Sequence, residues 1–101
     1  MDWYEMTDPA IVRELAQRFK KRRLEKNISQ QEMATRAGLS RYTINLFENG
    51  KTITLTTFIQ LLRALKELDE LELFLPDLGP DAKALLRFKM KERKKASRRI
   101  L

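Results

Sequence analysis

Residues 28–51 of this chain read I-S-Q-Q-E-M-A-T-R-A-G-L-S-R-Y-T-I-N-L-F-E-N-G-K, two short helix patterns joined by a single glycine-centred turn. Ser29 and Glu32 stand at capping-box spacing, so a serine hydroxyl and a glutamate carboxylate are placed to satisfy donors that a helix start leaves unpaired. A helix therefore begins near Gln30, and Met33, Ala34 and Ala37 fall on one face of it. Gly38 follows where a left-handed residue ends the helix sharply. Ser40 caps the second helix, and Leu39 before it is spaced to pack on Ile44 as a hydrophobic staple. Asn49 and Gly50 terminate it.

The flanking sequence extends this pattern into a small all-α domain. Asp8 and Pro9 read as the cap and first residue of an earlier helix, with Ile11, Leu15 and Phe19 as its buried stripe and Asn27 as its left-handed end. Thr54 is placed to cap a fourth helix whose Leu55, Phe58, Leu62 and Leu65 face inward, widened by Ile59 and Leu61. A fifth, short helix carries Leu68, Leu71, Phe74 and Leu75 and is stopped by Pro76. The expected organisation is an N-terminal arm over 1–8, a helical domain over 9–76, a linker with a short helix containing Leu85, Leu86, Phe88 and Met90 over 77–90, and a disordered basic tail over 91–101.

Composition narrows the function classes. The chain has 101 residues, 43% of them apolar, which suffices for one modest core and no second domain. It holds no cysteine and no histidine, which removes disulfides, thiol nucleophiles, the usual neutral-pH general base and the commonest metal ligands. We expect no enzyme, no cofactor and no metal site. The start Met1-Asp2-Trp3-Tyr4-Glu5 is unlike a signal peptide, and a reducing cytoplasm is the expected location. The net charge of +7 is concentrated: residues 87–101 hold eight Lys or Arg against Glu92 alone, and the first 86 residues are neutral, with 13 of each sign. A tail of that charge attracts phosphate-rich or acidic partners. Lys20, Lys21, Arg22 and Lys26 read either as a second basic cluster or as the solvated face of the first helix.

The combination of S-Q-Q-E at Ser29–Glu32, A-T-R-A-G-L-S at Ala34–Ser40, Ile44, and E-N-G-K at Glu48–Lys51 resembles the helix-turn-helix of the phage repressor and Cro family, also called the XRE family, over about residues 10–66. The resemblance implies a five-helix, lambda-repressor-like DNA-binding domain, here with a basic C-terminal tail. It also implies double-stranded DNA as partner and a second helix that enters the major groove. That nominates Arg41, Tyr42, Asn45 and Leu46 for base contacts. The Arg41 guanidinium suits the O6 and N7 of guanine, or else a phosphate. Tyr42 suits a thymine methyl or sugar, or packs over the helix end. Leu46 departs from the long polar residue common in relatives, and either meets a thymine methyl or packs against a subunit or the core. Gln30, Thr43, Asn49, Lys51 and Arg23 match phosphate-contacting positions, and Arg23 and Glu48 match a partly buried ion pair.

The reading that follows is a transcriptional regulator, a repressor occupying a palindromic operator as a homodimer. Leu71, Leu73, Phe74 and Leu75, or Trp3, Tyr4 and Met6, are candidate dimer surfaces, and each group could equally seal the core. Two alternatives share the fold: an antitoxin that binds a protein toxin and represses its own operon, and a protein-binding adaptor that has lost DNA binding.

Overall fold

The computed structural model describes residues 1–79 and 86–92, and these residues contain helices and no strands. A single 3₁₀ turn at Trp3–Glu5 precedes α1 (Asp8–Glu25), α2 (Gln30–Ala37), α3 (Arg41–Glu48), α4 (Leu55–Leu65) and α5 (Glu70–Phe74). Residues 86–92 are also helical and include Lys91 and Glu92, where the sequence reading begins its tail. Pro80, Asp81 and Leu85 of the expected linker and helix, and the basic stretch from residue 93, lie outside the described residues. The chain divides into two compact units, 1–69 and 70–101. None of the described helices is long and apolar enough to cross a membrane.

The helices of the first unit start and stop by two repeated devices. Thr7, Ser29, Ser40 and Thr54 are the N-caps, each accepting a hydrogen bond from the backbone N–H three residues on. The cap of α1 is thus Thr7 rather than Asp8, because only the threonine is extended (φ −72°, ψ 158°) with its hydroxyl on Ala10 N–H. Asp8 instead occupies the first turn, where its charge meets the positive helix end. At the other ends, Asn27, Gly38, Gly50 and Lys66 all have positive φ. The residue after each donates back across the last turn: Ile28 to Arg23, Leu39 to Ala34, Lys51 to Leu46 and Glu67 to Leu62, at 2.9–3.1 Å. The Ser29–Glu32 box is only half formed, since Ser29 accepts from Glu32 N–H while the glutamate carboxylate accepts from Arg36 at 2.7 Å.

The core gathers Ala16, Phe19, Ile28, Met33, Ala34, Ile44, Phe47, Leu61, Ala64 and Leu65, with Leu39 and Phe58 packed against it. Phe47 of α3 stands edge-on to Phe19 of α1 and to Phe58 of α4, with ring centres 5.4 and 6.0 Å apart. Two expected core residues are exposed. Leu15 is 41% exposed because the interior stripe of α1 runs through Ala16, Phe19 and Arg23, and a residue eight before Arg23 lies about 80° off that line at 100° per residue. Leu55 is 73% exposed, since it is the first residue of α4, one turn short of Phe58. Both rim an open apolar depression floored by Val12, Phe47, Ile53 and Phe58.

Arg23 is the polar member of the interior, 5% exposed. Its Nε donates to Glu48 Oε2 at 2.6 Å, Nη2 to Glu48 Oε1 at 2.8 Å, and Nη1 to the Ile28 carbonyl at 2.7 Å. A planar guanidinium is suited to this because it meets both carboxylate oxygens at once and still has a donor for the loop. The same end of α1 is also held at the rim, where Arg22 meets Glu67 at 2.9 Å and Lys26 donates to the Leu65 carbonyl.

Glu48→Gln should destabilise the domain by about 3–5 kcal/mol, since it strands a buried guanidinium, and the combined change Arg23→Met with Glu48→Leu should cost far less. Chemical denaturation of the three proteins checks this. In the same assay Gly38→Ala should cost about 1 kcal/mol, from its positive φ alone, because a Cβ there would meet nothing within 4 Å. Gly50→Ala should cost more, because its Cβ would come within 2.5 Å of Arg13 Cγ.

Candidate nucleic-acid interface

α3 is eight residues long and divides cleanly between two faces. Ile44 and Phe47, three apart, are buried, while Arg41, Tyr42 and Asn45, at i, i+1 and i+4, are exposed and share one side of the helix. Asn49, four residues after Asn45, continues that side past the helix end. Tyr42 is 71% exposed, so its ring stands out from the protein and does not pack over the helix end. Leu46 is half-buried, between the two faces.

The charge on this helix follows from the packing. Glu48 is its only acid, and its side chain is 3% exposed against Arg23. The exposed side of α3 therefore presents Arg41 without a competing carboxylate, and Lys51 stands exposed just beyond the helix. Such a surface attracts phosphate and leaves the polar ends of Arg41, Tyr42 and Asn45 available to base edges.

The other nominated residues are placed differently from one another. Arg23 is 5% exposed and directs Nε and both terminal nitrogens to partners inside the protein, three of its five N–H donors, an arrangement that fits the ion pair better than a phosphate contact. Gln30, half-buried at the first position of α2, donates from Nε2 to Glu48 Oε1 at 3.1 Å, so the start of α2 is tied to the same carboxylate that holds α1. Thr43 is half-buried, with its hydroxyl 2.9 Å from the Ser40 hydroxyl and its N–H on the same Ser40 oxygen, and so reinforces the cap of α3. Asn49 donates from Nδ2 to the Asn45 carbonyl at 2.9 Å and to Asn45 Oδ1 at 3.1 Å.

Sequence reasoning did not anticipate the Gln30–Glu48 bond, which joins residues 18 apart, nor the contact of Arg18 with Trp3, where the guanidinium carbon lies 4.9 Å from the ring centre. The Asn45–Asn49 pair did carry a signal: two amides at i and i+4 on a helix are neighbours by spacing alone.

No curated protein sequence matches the chain. Residues 19–73, just over half of the chain, match the family described as Helix-turn-helix, and the match takes in α2, the Gly38 turn and α3 in full. The turn geometry, the exposed polar side of α3 and that match agree, and the chain belongs to the XRE-type helix-turn-helix family of DNA-binding transcriptional regulators.

Proposed function

We propose that this regulator is a sequence-specific repressor that occupies a palindromic operator as a dimer, with α3 in the major groove of each half-site. The observation that carries the reading is the side of α3 on which Arg41, Tyr42 and Asn45 are exposed together while its one acid is turned inward. Arg41 reads guanine through O6 and N7, Tyr42 lies against a thymine methyl or sugar, and Asn45 meets the next base edge. The half-buried Leu46 offers a methyl-sized apolar contact at the edge of the same face. Lys51 takes a phosphate, as does the start of α2 at Gln30, whose first backbone N–H groups point out of the helix end.

Dimerisation follows from how little one module can read. One eight-residue helix meets only a few base pairs, and two such helices spaced by one duplex turn, about 34 Å, double the contacts and supply the specificity. Residues 87–101, with eight cations, add sequence-independent attraction and steepen the salt dependence by roughly 0.9 log units per neutralised phosphate.

Selection from a randomised duplex pool at physiological salt, using the full chain and a form ending at Leu86, tests this. Both forms should recover one palindromic motif, with the shorter binding more weakly and with a shallower salt slope. Arg41→Ala should cost about 1–3 kcal/mol on the recovered site and lose the guanine preference at one position per half-site. Full-length binding that yields no motif and is abolished by moderate salt would overturn the reading.

A further inference from the structure

The hydrogen bonds around Asn45 determine which end of its amide faces outward. The Asn45 main-chain carbonyl can only accept, so the Asn49 side-chain atom lying 2.9 Å from it is the nitrogen Nδ2 and not the oxygen. That nitrogen also lies 3.1 Å from the end of the Asn45 side chain, which must therefore present its own oxygen, Oδ1. Both bonds run from Asn49 Nδ2 to acceptors of Asn45, so that nitrogen is drawn back onto its own helix. They also engage Asn45 Oδ1 and leave Asn45 Nδ2, with its two hydrogens, as the outward end. Asn49 is itself held in place, with its backbone N–H bonded to the Asn45 and Leu46 carbonyls at 3.0 and 3.2 Å.

We infer that Asn49 is a specificity-determining residue that orients Asn45, so that Asn45 reads a hydrogen-bond-accepting base edge, guanine O6 and N7 or thymine O4, and discriminates against adenine. The inference rests on the proposed placement of α3 in the major groove. Paired recognition of adenine by an asparagine needs the amide oxygen to accept from N6 while the nitrogen donates to N7. In this chain one of that oxygen's two lone pairs is already taken, by Asn49 Nδ2, and the bond fixes the direction in which the oxygen points. An acceptor-only edge asks nothing of the oxygen, and the free Nδ2 hydrogens satisfy it. The role first read for Asn49, a phosphate contact, makes a different forecast, because loss of a phosphate contact weakens all sequences alike.

The test is selection from the same duplex pool with the full-length protein and with Asn45→Ala, Asn49→Ala and Asn49→Asp, each checked for helicity and thermal unfolding by circular dichroism. The parent protein should select guanine or thymine at the position whose preference Asn45→Ala abolishes. Asn49→Ala should relax that one position, with adenine gaining about tenfold relative to guanine, while the Arg41 position is unchanged. Asn49→Asp, which cannot donate to Asn45 Oδ1 and sets an oxygen against the Asn45 carbonyl, should relax the same position. A change confined to one position cannot come from partial unfolding, which lowers affinity without changing base identity there. Adenine at the Asn45 position in the parent protein, or a motif untouched by both Asn49 variants with binding weakened uniformly, would overturn the inference and leave the repressor reading standing. Absence of any motif in the parent protein would overturn both.

Discussion

The Glu48 carboxylate is where the three helices that position the interface meet. Two donors reach it from Arg23 of α1 and one from Gln30 of α2, and Glu48 itself is the last residue of α3. Arg23 gives a further donor to the Ile28 carbonyl, so the loop that leads into α2 is held by the same group. In a domain of this size such a pair is a constraint more than a source of stability, because removing two charges from water offsets most of their attraction. What it supplies is position. An apolar contact between α1 and α3 would tolerate sliding by a fraction of a turn, whereas a forked guanidinium on both oxygens of one carboxylate tolerates very little. It also takes the one acidic side chain of α3 out of the exposed surface of that helix, so that a structural bond sets the sign of the surface charge.

Around this pair, the lengths of the helices are set locally. Four hydroxyl caps and four left-handed ends divide residues 7–67 into short rods, and each of those devices acts within five or six residues of chain. α2 and α3 are eight residues each, too short to be stable alone in water. They persist because Met33, Ala34, Ile44 and Phe47 are buried in a common core with Leu61 and Leu65, and because the Phe47 ring is clasped by Phe19 and Phe58. The candidate interface is thus a short helix whose inner side is fixed by aromatic packing, leaving the outer side free to vary in sequence without cost to the fold.

How much of this was legible in the sequence depends on how far each interaction reaches. The helix starts at Gln30 and Arg41, the turn at Gly38, the left-handed Asn27 and the cap at Thr54 all follow from residues within one turn of each other, and the structure has each of them. Leu15 was assigned to the interior from leucine spacing alone, whereas the inner face of α1 runs through Ala16, Phe19 and Arg23, and Leu55 was so assigned although it is the first residue of α4, one turn short of Phe58. Glu32 completes a capping box by spacing, yet its carboxylate is held by Arg36, an equally local partner that competes for it. The two amide placements differ in the same way: Asn45 with Asn49 was available from the i, i+4 rule, and Gln30 with Glu48 was not.

By itself, then, the sequence determined that this chain is a helix-turn-helix protein, where α2 and α3 begin and end, and which side of α3 is polar, since propensity, capping and periodicity are properties of neighbouring residues. Only the tertiary structure decided that Arg23 also holds the Ile28 carbonyl, that Gln30 shares the carboxylate of Glu48, and which residues of α1 and α4 make the core. Those outcomes depend on which groups from distant parts of the chain compete for the same few buried partners, and that competition is resolved only when the helices pack.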